Sequence, residues 1–300
     1  MNTPLAYLNG RFLPFAEAGL PLHDAGFVAG ATVVDNARTF RHRLFRWPDH
    51  LERFRRDCTD CEVPLDVTDE QLTATAGELI AHNAALLPPG GELQVVTFAT
   101  PGPLGVYLGD AANGPPTLGM VAYPLPFARY RRFFTEGVTL VTVGHRAVDE
   151  DDVVSPRTKH RSRMAWWKAD RLAARPPHPP GAVALLTDGP GGSITETAVA
   201  NFVGVIGRSL VLPPGGRVLD GISLRVVREL SGLPGVSEGP LPLSRVPEMS
   251  EAMLAGTGFG VAGVRRIDGH ELPWPGPVFR RTLAAWSDLV GVDVEKQFTG

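Results

Sequence analysis

The chain of 300 residues carries 29 Lys and Arg against 32 Asp and Glu, so its formal net charge is -3 and its isoelectric point is near 6.2. This balance argues against a protein that neutralises many nucleic-acid phosphates. No stretch approaches the roughly 18 consecutive apolar residues of a membrane-spanning helix, and the N-terminus lacks a secretory-signal pattern. We therefore expect a cytoplasmic globular protein without nucleic-acid or membrane partners.

The first hundred residues predict mixed α and β structure. Leu51, Phe54 and Cys58 recur at helical spacing in WPDHLERFRRDC. A second helix is predicted in TDEQLTATAGELIAHNAALL, where Thr68 and Gln71 suit a capping box. The runs ELQVVTF and TLGMVAYPL are then typical of strands.

The two cysteines, Cys58 and Cys61, form a C-x-x-C pair near the end of the first helix. A structural zinc site requires four ligands, and the sequence offers no second pair at a suitable spacing. We expect two reduced thiols and no metal site.

The segment PLPFARYRRFF has no clear periodicity and is predicted to link two domains. The predicted boundaries are residues 1–124 for a small N-terminal domain, 125–133 for the linker and 134–300 for the C-terminal domain. Beyond the linker, strands are predicted in EGVTLVTVG, AVALLTD, ETAVANFVGVI and SLVLPP, and helices in RSRMAWWKADRLAAR and SLRVVRELSG. DGPGGS predicts a hairpin because a strand, and no helix, follows it.

An unusually cationic run, SPRTKHRSRM, contains Arg157, Lys159, Arg161 and Arg163 with His160 among them. A run of this kind is typical either of contact with phosphate or nucleic acid, or of a solvated helix face.

Two glycine-containing turns are candidates for binding an anion. In RVLDGISLRVVRELSG, Gly221 allows a close approach, and Ile222 and Ser223 open a helix whose free N–H groups suit an anion. The alternative is a serine near the start of an ordinary helix. In AGTGFG, Gly256 and Thr257 repeat the pattern after the helix-like stretch EMSEAML. Two such turns suit one phosphate.

Lys159, Glu196 and Arg53 complete a set that matches the needs of pyridoxal 5'-phosphate: an imine-forming lysine, a carboxylate for the ring nitrogen and an arginine for the phosphate. The order of the motifs resembles that of the class IV (fold-type IV) aminotransferases. The similar segments are YLNGRFLP, DAGFVAGATVVDNARTF, HLERF, KHRSRM, TETAVANF, LDGIS and GTGFGVAGV, along most of the chain. This family includes branched-chain aminotransferases, D-amino-acid aminotransferases and aminodeoxychorismate lyase.

The resemblance implies an α/β (α+β) fold of two domains, the smaller N-terminal and the larger C-terminal with a β-barrel-like core. It also implies a homodimer. Lys159 would hold the cofactor and act as the catalytic base, and Glu196 would face the ring nitrogen. The phosphate would be held by Arg53, Gly221, Ile222, Ser223, Gly256 and Thr257.

The substrate motifs match the family less well than the cofactor motifs. Val34 and Asp35 stand where D-amino-acid enzymes have Tyr and Glu, and Thr97 replaces their carboxylate-binding Arg. Met164 replaces a branched-chain enzyme's Tyr. The changes at Val34, Asp35 and Thr97 do not favour D-amino acids. Thr97 remains a candidate for substrate binding, as does Arg38, for which a structural ion pair is the alternative.

The sequence thus predicts an aminotransferase acting between an L-amino acid, with a branched or apolar side chain, and 2-oxoglutarate. KHRSR also resembles the K-H-x-x-R of aminodeoxychorismate lyase, which eliminates pyruvate, so the lyase is the alternative within the family. From another class, the alternative is a non-enzymatic binder of anions or nucleic acid that uses the basic run.

Overall fold

The computed structural model describes residues 3–109, 111–145, 153–189 and 191–300. The chain divides into two compact units. Unit 1 comprises Met1–Leu125 and Thr158–Ser162, and unit 2 comprises Pro126–Arg157 and Arg163–Gly300. The short segment that contains Lys159 therefore belongs with the N-terminal part of the chain.

Unit 1 is built on an antiparallel sheet. Its strands are β1 (Leu5–Leu8), β2 (Arg11–Pro14), β3 (Val33–Phe40), β4 (Arg43–Leu44), β5 (Leu93–Thr100) and β6 (Thr117–Pro124). They lie in the order β2-β1-β6-β5-β3-β4. The helices are α1 (Ala25–Val28), α2 (Trp47–Asp60) and α3 (Asp69–Ala84), with 3-10 turns at Phe15–Glu17 and Gly105–Leu108. Helix α2 packs on β3, and α3 packs on β1, β5 and β6.

The helices of unit 1 form as the apolar spacing predicts. Leu51, Phe54 and Cys58 are buried on one face of α2. At the start of α3, the Thr68 hydroxyl accepts the Gln71 N–H at 3.2 Å, and the Gln71 side chain accepts the Thr68 N–H at 2.8 Å. The capping box is confirmed. Both cysteines are free thiols, and burial raises the pKa of Cys58 to about 12.

Unit 2 is built around a closed ring of strands. Its strands are β7 (Val138–His145), β8 (Val183–Asp188), β9 (Ile194–Thr197), β10 (Asn201–Ile206), β11 (Ser209–Leu212), β12 (Gly235–Glu238), β13 (Glu251–Gly256), β14 (Gly260–Ile267) and β15 (His270–Glu271). Strands β10-β13-β14-β7-β8-β9 follow one another, and β9 pairs back to β10. That last pairing closes a six-stranded barrel, which confirms the fold class predicted for the C-terminal part.

Helices pack around this barrel. They are α4 (Phe127–Thr135), α5 (Met164–Ala173), α6 (Ile222–Leu230), α7 (Pro277–Val290) and α8 (Val294–Thr299), with 3-10 turns at Gly215–Arg217 and Leu243–Glu248. Helix α6 packs against β13 and β14, and α7 against the same two strands. No helix of the described ranges is long and apolar enough to cross a membrane.

The segment predicted as a linker contains α4. Tyr130 and Phe134 are buried, and the ring of Phe134 stacks on that of Phe298 with centroids 4.5 Å apart. Arginines interrupt the apolar pattern of this short helix in the sequence, so its helical character depends on aromatic packing within unit 2.

The hairpin at DGPGGS is confirmed, because β8 and β9 are antiparallel with Thr187 opposite Ile194. The prediction of one strand over ETAVANFVGVI is wrong. It is divided into β9 and β10 by a tight turn, in which the Thr197 hydroxyl accepts the N–H groups of Ala200 at 3.0 Å and Val199 at 3.3 Å. Threonine side chains favour turns of this kind through such local bonds.

The helix-like stretch EMSEAML is also different in the structure, where Glu251–Gly256 form β13. All six residues of β13 are buried. Burial on both faces removes the apolar-polar alternation by which a strand is recognised. The Glu251 carboxylate accepts the N–H groups of Val278 and Phe279 at the start of α7, both at 2.9 Å.

Candidate active site

The main chain of Lys159 is held by two elements of unit 1. Its carbonyl oxygen accepts the Val34 N–H of β3 at 2.9 Å. Its N–H donates to Asp57 Oδ2 of α2 at 2.8 Å. Two residues on, the Arg161 N–H donates to the Thr32 carbonyl at 2.9 Å. The lysine segment therefore runs beside β3 as an added extended stretch.

The other cations of the basic run have local contacts of their own. The Arg157 guanidinium lies 3.5 Å from Asp220 Oδ2. Arg163 donates to the Ala198 carbonyl and lies 4.4 Å above the Trp166 ring. Arg157 and Arg163 belong to unit 2, whereas Lys159 belongs to unit 1. These contacts do not support the alternative of a single basic surface for nucleic acid.

Arg53 lies in a buried cluster of charged groups next to the lysine segment. His50 and Arg53 are three residues apart and so share one face of α2. Asp35 of β3 accepts hydrogen bonds from both: His50 Nδ1 lies 2.6 Å from Oδ1, and Arg53 Nε donates to Oδ2 at 2.8 Å. All three side chains are at most 3% exposed. One carboxylate thus balances a guanidinium that is fixed in orientation.

The charges within this cluster shift the pKa values of its members. Burial raises the pKa of Asp35, but the charges of Arg53 and His50 and their hydrogen bonds bring it well below its ordinary value of 3.8. Burial lowers the pKa of His50 below 6.5; Asp35 opposes this, and the charges of Arg53 and Lys159 add to it. The charge of Lys159 therefore acts on the same buried histidine as the charge of Arg53.

We expect the free energy of unfolding to decrease as pH falls below 6.5, the ordinary pKa of histidine. His50 then binds a proton in the unfolded chain but not in the folded protein, because its folded pKa is the lower one. The free energy of unfolding decreases by at most about 1.4 kcal/mol per pH unit for this one proton. Asp35 adds a second loss below 3.8, because its folded pKa is the lower one. Urea denaturation across this pH range measures both effects.

The control for this pH dependence is the matched change at an exposed histidine. His50→Gln should flatten the decrease just below pH 6.5, whereas His178→Gln should leave it unchanged, since His178 is exposed. Asp57, whose pKa burial raises, acts in the opposite direction and is common to both variants. An equal slope in the His50 variant and the parent protein would contradict the assignment.

Glu196 is tied to the loop before α6 in unit 2. Its Oε2 accepts the Leu219 N–H at 3.1 Å. The Leu219 carbonyl accepts a hydrogen bond from Asn201 Nδ2 at 2.9 Å, and Asn201 is the direct cross-strand neighbour of Glu196. The carboxylate is thereby fixed relative to the start of α6.

The start of α6 has the features of an anion site. Gly221 occupies the N-cap position and provides no side-chain cap. A Cβ atom there would lie 1.9 Å from Asn201 Oδ1, so this backbone approach requires glycine. The first N–H groups of the helix, at Ile222 and Ser223, have no partner within the helix by its geometry. They and the helix dipole favour a negative group.

Thr257 lies in the turn between β13 and β14, the two strands against which α6 packs. A Cβ atom at Gly256 would lie 2.9 Å from the Val199 carbonyl oxygen and from the Phe259 ring, so the close turn again requires glycine. Ser223 is buried and Thr257 is half-buried. Glu196, the start of α6 and Thr257 thus lie on connected elements of unit 2.

These residues fit pyridoxal 5'-phosphate by their chemistry. Unit 1 offers the amine of Lys159 for an aldehyde and the buried guanidinium of Arg53 for a phosphate. Unit 2 offers Glu196 for a ring nitrogen, and the N–H groups and hydroxyls at Ser223 and Thr257 for a phosphate. An aldehyde, a phosphate and a basic ring nitrogen are the groups that this cofactor presents.

The two weaker candidates lie on opposite faces of the unit 1 sheet. Thr97 is directly opposite Asp35 on β5 and so faces the same side; its hydroxyl is buried without a hydrogen-bond partner among the described residues. Arg38 is three residues beyond Asp35 and faces the other side. Its guanidinium lies 3.9 Å above the Phe40 ring, and its Nε donates to the Thr39 carbonyl at 3.2 Å.

The roles of four residues in this arrangement were not predicted from the sequence: those of Asp35, His50, Asp57 and Asn201. His50, Arg53 and Asp57 recur at intervals of three and four residues on a helix. That spacing, which places three polar side chains on one face, is the signal by which they were detectable. Asn201 lies in TETAVANF, one of the segments that resemble the family, but no role was predicted for it.

Comparison with known proteins agrees with this geometry. Residues 32–267 match the model of the amino-transferase class IV family. A protein of Methanocaldococcus jannaschii named "Putative branched-chain-amino-acid aminotransferase" is 25% identical over 270 residues, 88% of each chain. D-alanine aminotransferase of Listeria innocua is 23% identical over 270 residues, again 88% of each chain. The crystal structure of Escherichia coli branched-chain amino acid aminotransferase has the same fold, with a TM-score of 0.85 at 18% identity, covering 96% of this chain and 95% of the other. The family match spans most of the chain, and the protein therefore belongs to the class IV aminotransferases.

Proposed function

We propose that the protein transfers an amino group between an L-amino acid with a branched or apolar side chain and 2-oxoglutarate. The protein is an aminotransferase by its family, and pyridoxal 5'-phosphate is the cofactor of that family. The observation that carries the proposal is the position of Lys159. Its carbonyl and its N–H are both hydrogen-bonded to unit 1, and its charge acts on His50, which belongs to the buried cluster with Arg53.

When bound, pyridoxal phosphate supplies an electron-accepting ring that stabilises the charge left by cleavage of the substrate Cα–H bond. Glu196 would favour a protonated ring nitrogen, because an adjacent carboxylate favours the charged form of a base. The amine of Lys159 would accept the proton from the substrate Cα and later donate it back. Arg53, the start of α6 and Thr257 would each offer groups that bind the phosphate.

The preference for an apolar substrate is supported by a cavity of about 330 Å³ in unit 1. Leu22, Phe27 and Phe98 form much of its lining, and Arg161 contributes a cationic group. Arg161 is two residues from Lys159 on the same added stretch. An apolar side chain with a carboxylate at one end would match this lining. The names of the two relatives, one for branched-chain amino acids and one for D-alanine, are compatible with a small apolar substrate.

The test is a substrate screen on the purified protein reconstituted with pyridoxal phosphate. We expect a yellow protein that borohydride bleaches, and glutamate formation from 2-oxoglutarate with L-leucine or L-valine. The enantiomers and D-alanine serve as matched controls. Turnover of D-alanine alone would overturn the proposed stereochemistry, and turnover of no amino donor would overturn the proposed substrate class.

A second candidate is the lyase of the same family. It is favoured by the K-H-x-x-R pattern, whose arginine, Arg163, contacts the turn that follows Glu196 through the Ala198 carbonyl. Release of pyruvate from aminodeoxychorismate, without glutamate formation from any donor, would identify the lyase. The non-enzymatic binder is not retained for a member of this enzyme family. A homodimer and a cytoplasmic location remain predictions.

A further inference from the structure

Helix α2 carries two buried polar residues one turn apart, each directed at a different part of the candidate site. Arg53 belongs to the cluster with Asp35, and Asp57 accepts the Lys159 N–H at 2.8 Å. Four residues of helix correspond to about 6 Å along its axis and to nearly the same face. Helix α2 therefore carries the Arg53 guanidinium that is assigned to the phosphate, and through Asp57 it also binds the main chain of Lys159.

Asp57 is 102 positions away from the lysine in sequence and is 1% exposed. Its Oδ1 accepts hydrogen bonds from Arg56, from Nη2 at 2.8 Å and from Nε at 3.1 Å, which leaves Oδ2 directed at the lysine segment. The carbonyl side of Lys159 is fixed by Val34 of β3. The bond to Asp57 is what fixes the N–H side, and with it the direction in which the Lys159 side chain leaves the main chain.

We propose that Asp57 is a positioning residue, which holds the main chain of Lys159 beside α2 so that the lysine amine reaches the cofactor aldehyde while Arg53 holds the phosphate. This inference rests on the proposed role of Lys159. Attachment joins the lysine nitrogen to the aldehyde carbon, and the aldehyde oxygen leaves as water.

A general structural role explains Asp57 less well. Burial is the largest influence on its carboxyl and raises its pKa; the Lys159 N–H and Arg56 only partly oppose this. A group with a raised folded pKa contributes most to stability below its ordinary value of 3.8 and loses that contribution as pH rises. The burial of this carboxyl therefore costs stability as pH rises, a pattern that is common among functional residues.

Three variants test the proposal: Asp57→Ala removes the acceptor, Asp57→Asn keeps an oxygen for the Lys159 N–H without the charge, and Asp60→Ala is the control. Asp60 lies on the same helix and is exposed. The first readout needs no cofactor. Amide hydrogen exchange of the segment 158–162 should become at least about tenfold faster in Asp57→Ala, since loss of the acceptor of this partly buried N–H favours local opening. Asp57→Asn and Asp60→Ala should stay near the parent rate.

The second readout is the rate of cofactor attachment to Lys159 in the full chain, trapped with borohydride and located by peptide mass. We expect Asp57→Ala to slow it about tenfold, Asp57→Asn to restore it to within about threefold, and Asp60→Ala to have no effect. Reversible retention of pyridoxal phosphate, measured before reduction, should change little because Arg53 and α6 are intact.

Failures of the two proposals are distinguishable. If the parent protein attaches no cofactor to Lys159, the proposed function fails. If the parent attaches it and Asp57→Ala does so at the parent rate, the positioning role is overturned, whether or not the melting temperature drops. Unchanged hydrogen exchange in Asp57→Ala would also overturn it, since the bond would then not hold the segment.

Discussion

Replacing Lys159 by alanine should abolish covalent attachment of pyridoxal phosphate and reduce transamination by at least about a thousandfold. The amine has two functions in the proposed mechanism, attachment and proton transfer at Cα, and a positioned proton-transfer group alone contributes about 10²–10⁴-fold to a rate. The visible absorbance of the reconstituted protein, the mass after borohydride reduction and glutamate formation are the three measurements.

Lys168→Ala is the matched control for this variant. Lys168 is an exposed residue of α5 and should keep parent absorbance, labelling and activity. Small primary amines added to the Lys159 variant should partly restore turnover, because they can replace the missing base without attachment. Near-parent activity of Lys159→Ala, or borohydride labelling of a different lysine, would contradict the assigned role.

Replacing Arg53 by methionine should destabilise the folded protein and decrease its affinity for pyridoxal phosphate. The change leaves Asp35 buried with His50 as its remaining partner in the cluster, and removal of one member of a buried ion pair costs about 3–5 kcal/mol. Urea denaturation measures this loss. Affinity for pyridoxal phosphate should decrease by about tenfold to a hundredfold, the value of one charge-assisted hydrogen bond.

A double variant separates these two effects. Asp35→Asn together with Arg53→Met removes the buried carboxylate that lost its arginine partner. Most of the lost free energy of unfolding should therefore be recovered. The loss of affinity for pyridoxal phosphate should remain in the double variant. The ratio of its affinities for pyridoxal phosphate and for unphosphorylated pyridoxal should therefore be lower than in the parent protein. Full recovery of that preference in the double variant would show that Arg53 does not bind the phosphate.

The candidate residues of the site could be selected from local sequence. Lys159, Glu196 and Arg53 each lie in a short motif. The glycines at 221 and 256 indicate positions where another group lies close to the backbone. The structure shows a physical reason for both glycines, because a Cβ atom at either position would collide with a neighbouring residue. Motifs of this kind are readable because the residue type itself carries the function.

Some elements could not be predicted because their pattern depends on burial by distant parts of the chain. Strand β13 is buried on both faces and so lacks alternation. Helix α4 is fixed by aromatic contacts with Phe298, far along the sequence. The division of ETAVANFVGVI into two strands is a different case, because it depends on local bonds of the Thr197 hydroxyl. The pairing of β9 with β10 also closes the barrel.

The sequence by itself determined the family and most helices, because these depend on short spacings and side-chain chemistry. Only the tertiary structure decided which groups hold the catalytic candidates in place. The bond from Asp57 to Lys159 and the cluster of Asp35, His50 and Arg53 join separate elements, and hydrogen bonds between such elements form only when packing excludes water and brings the partners together.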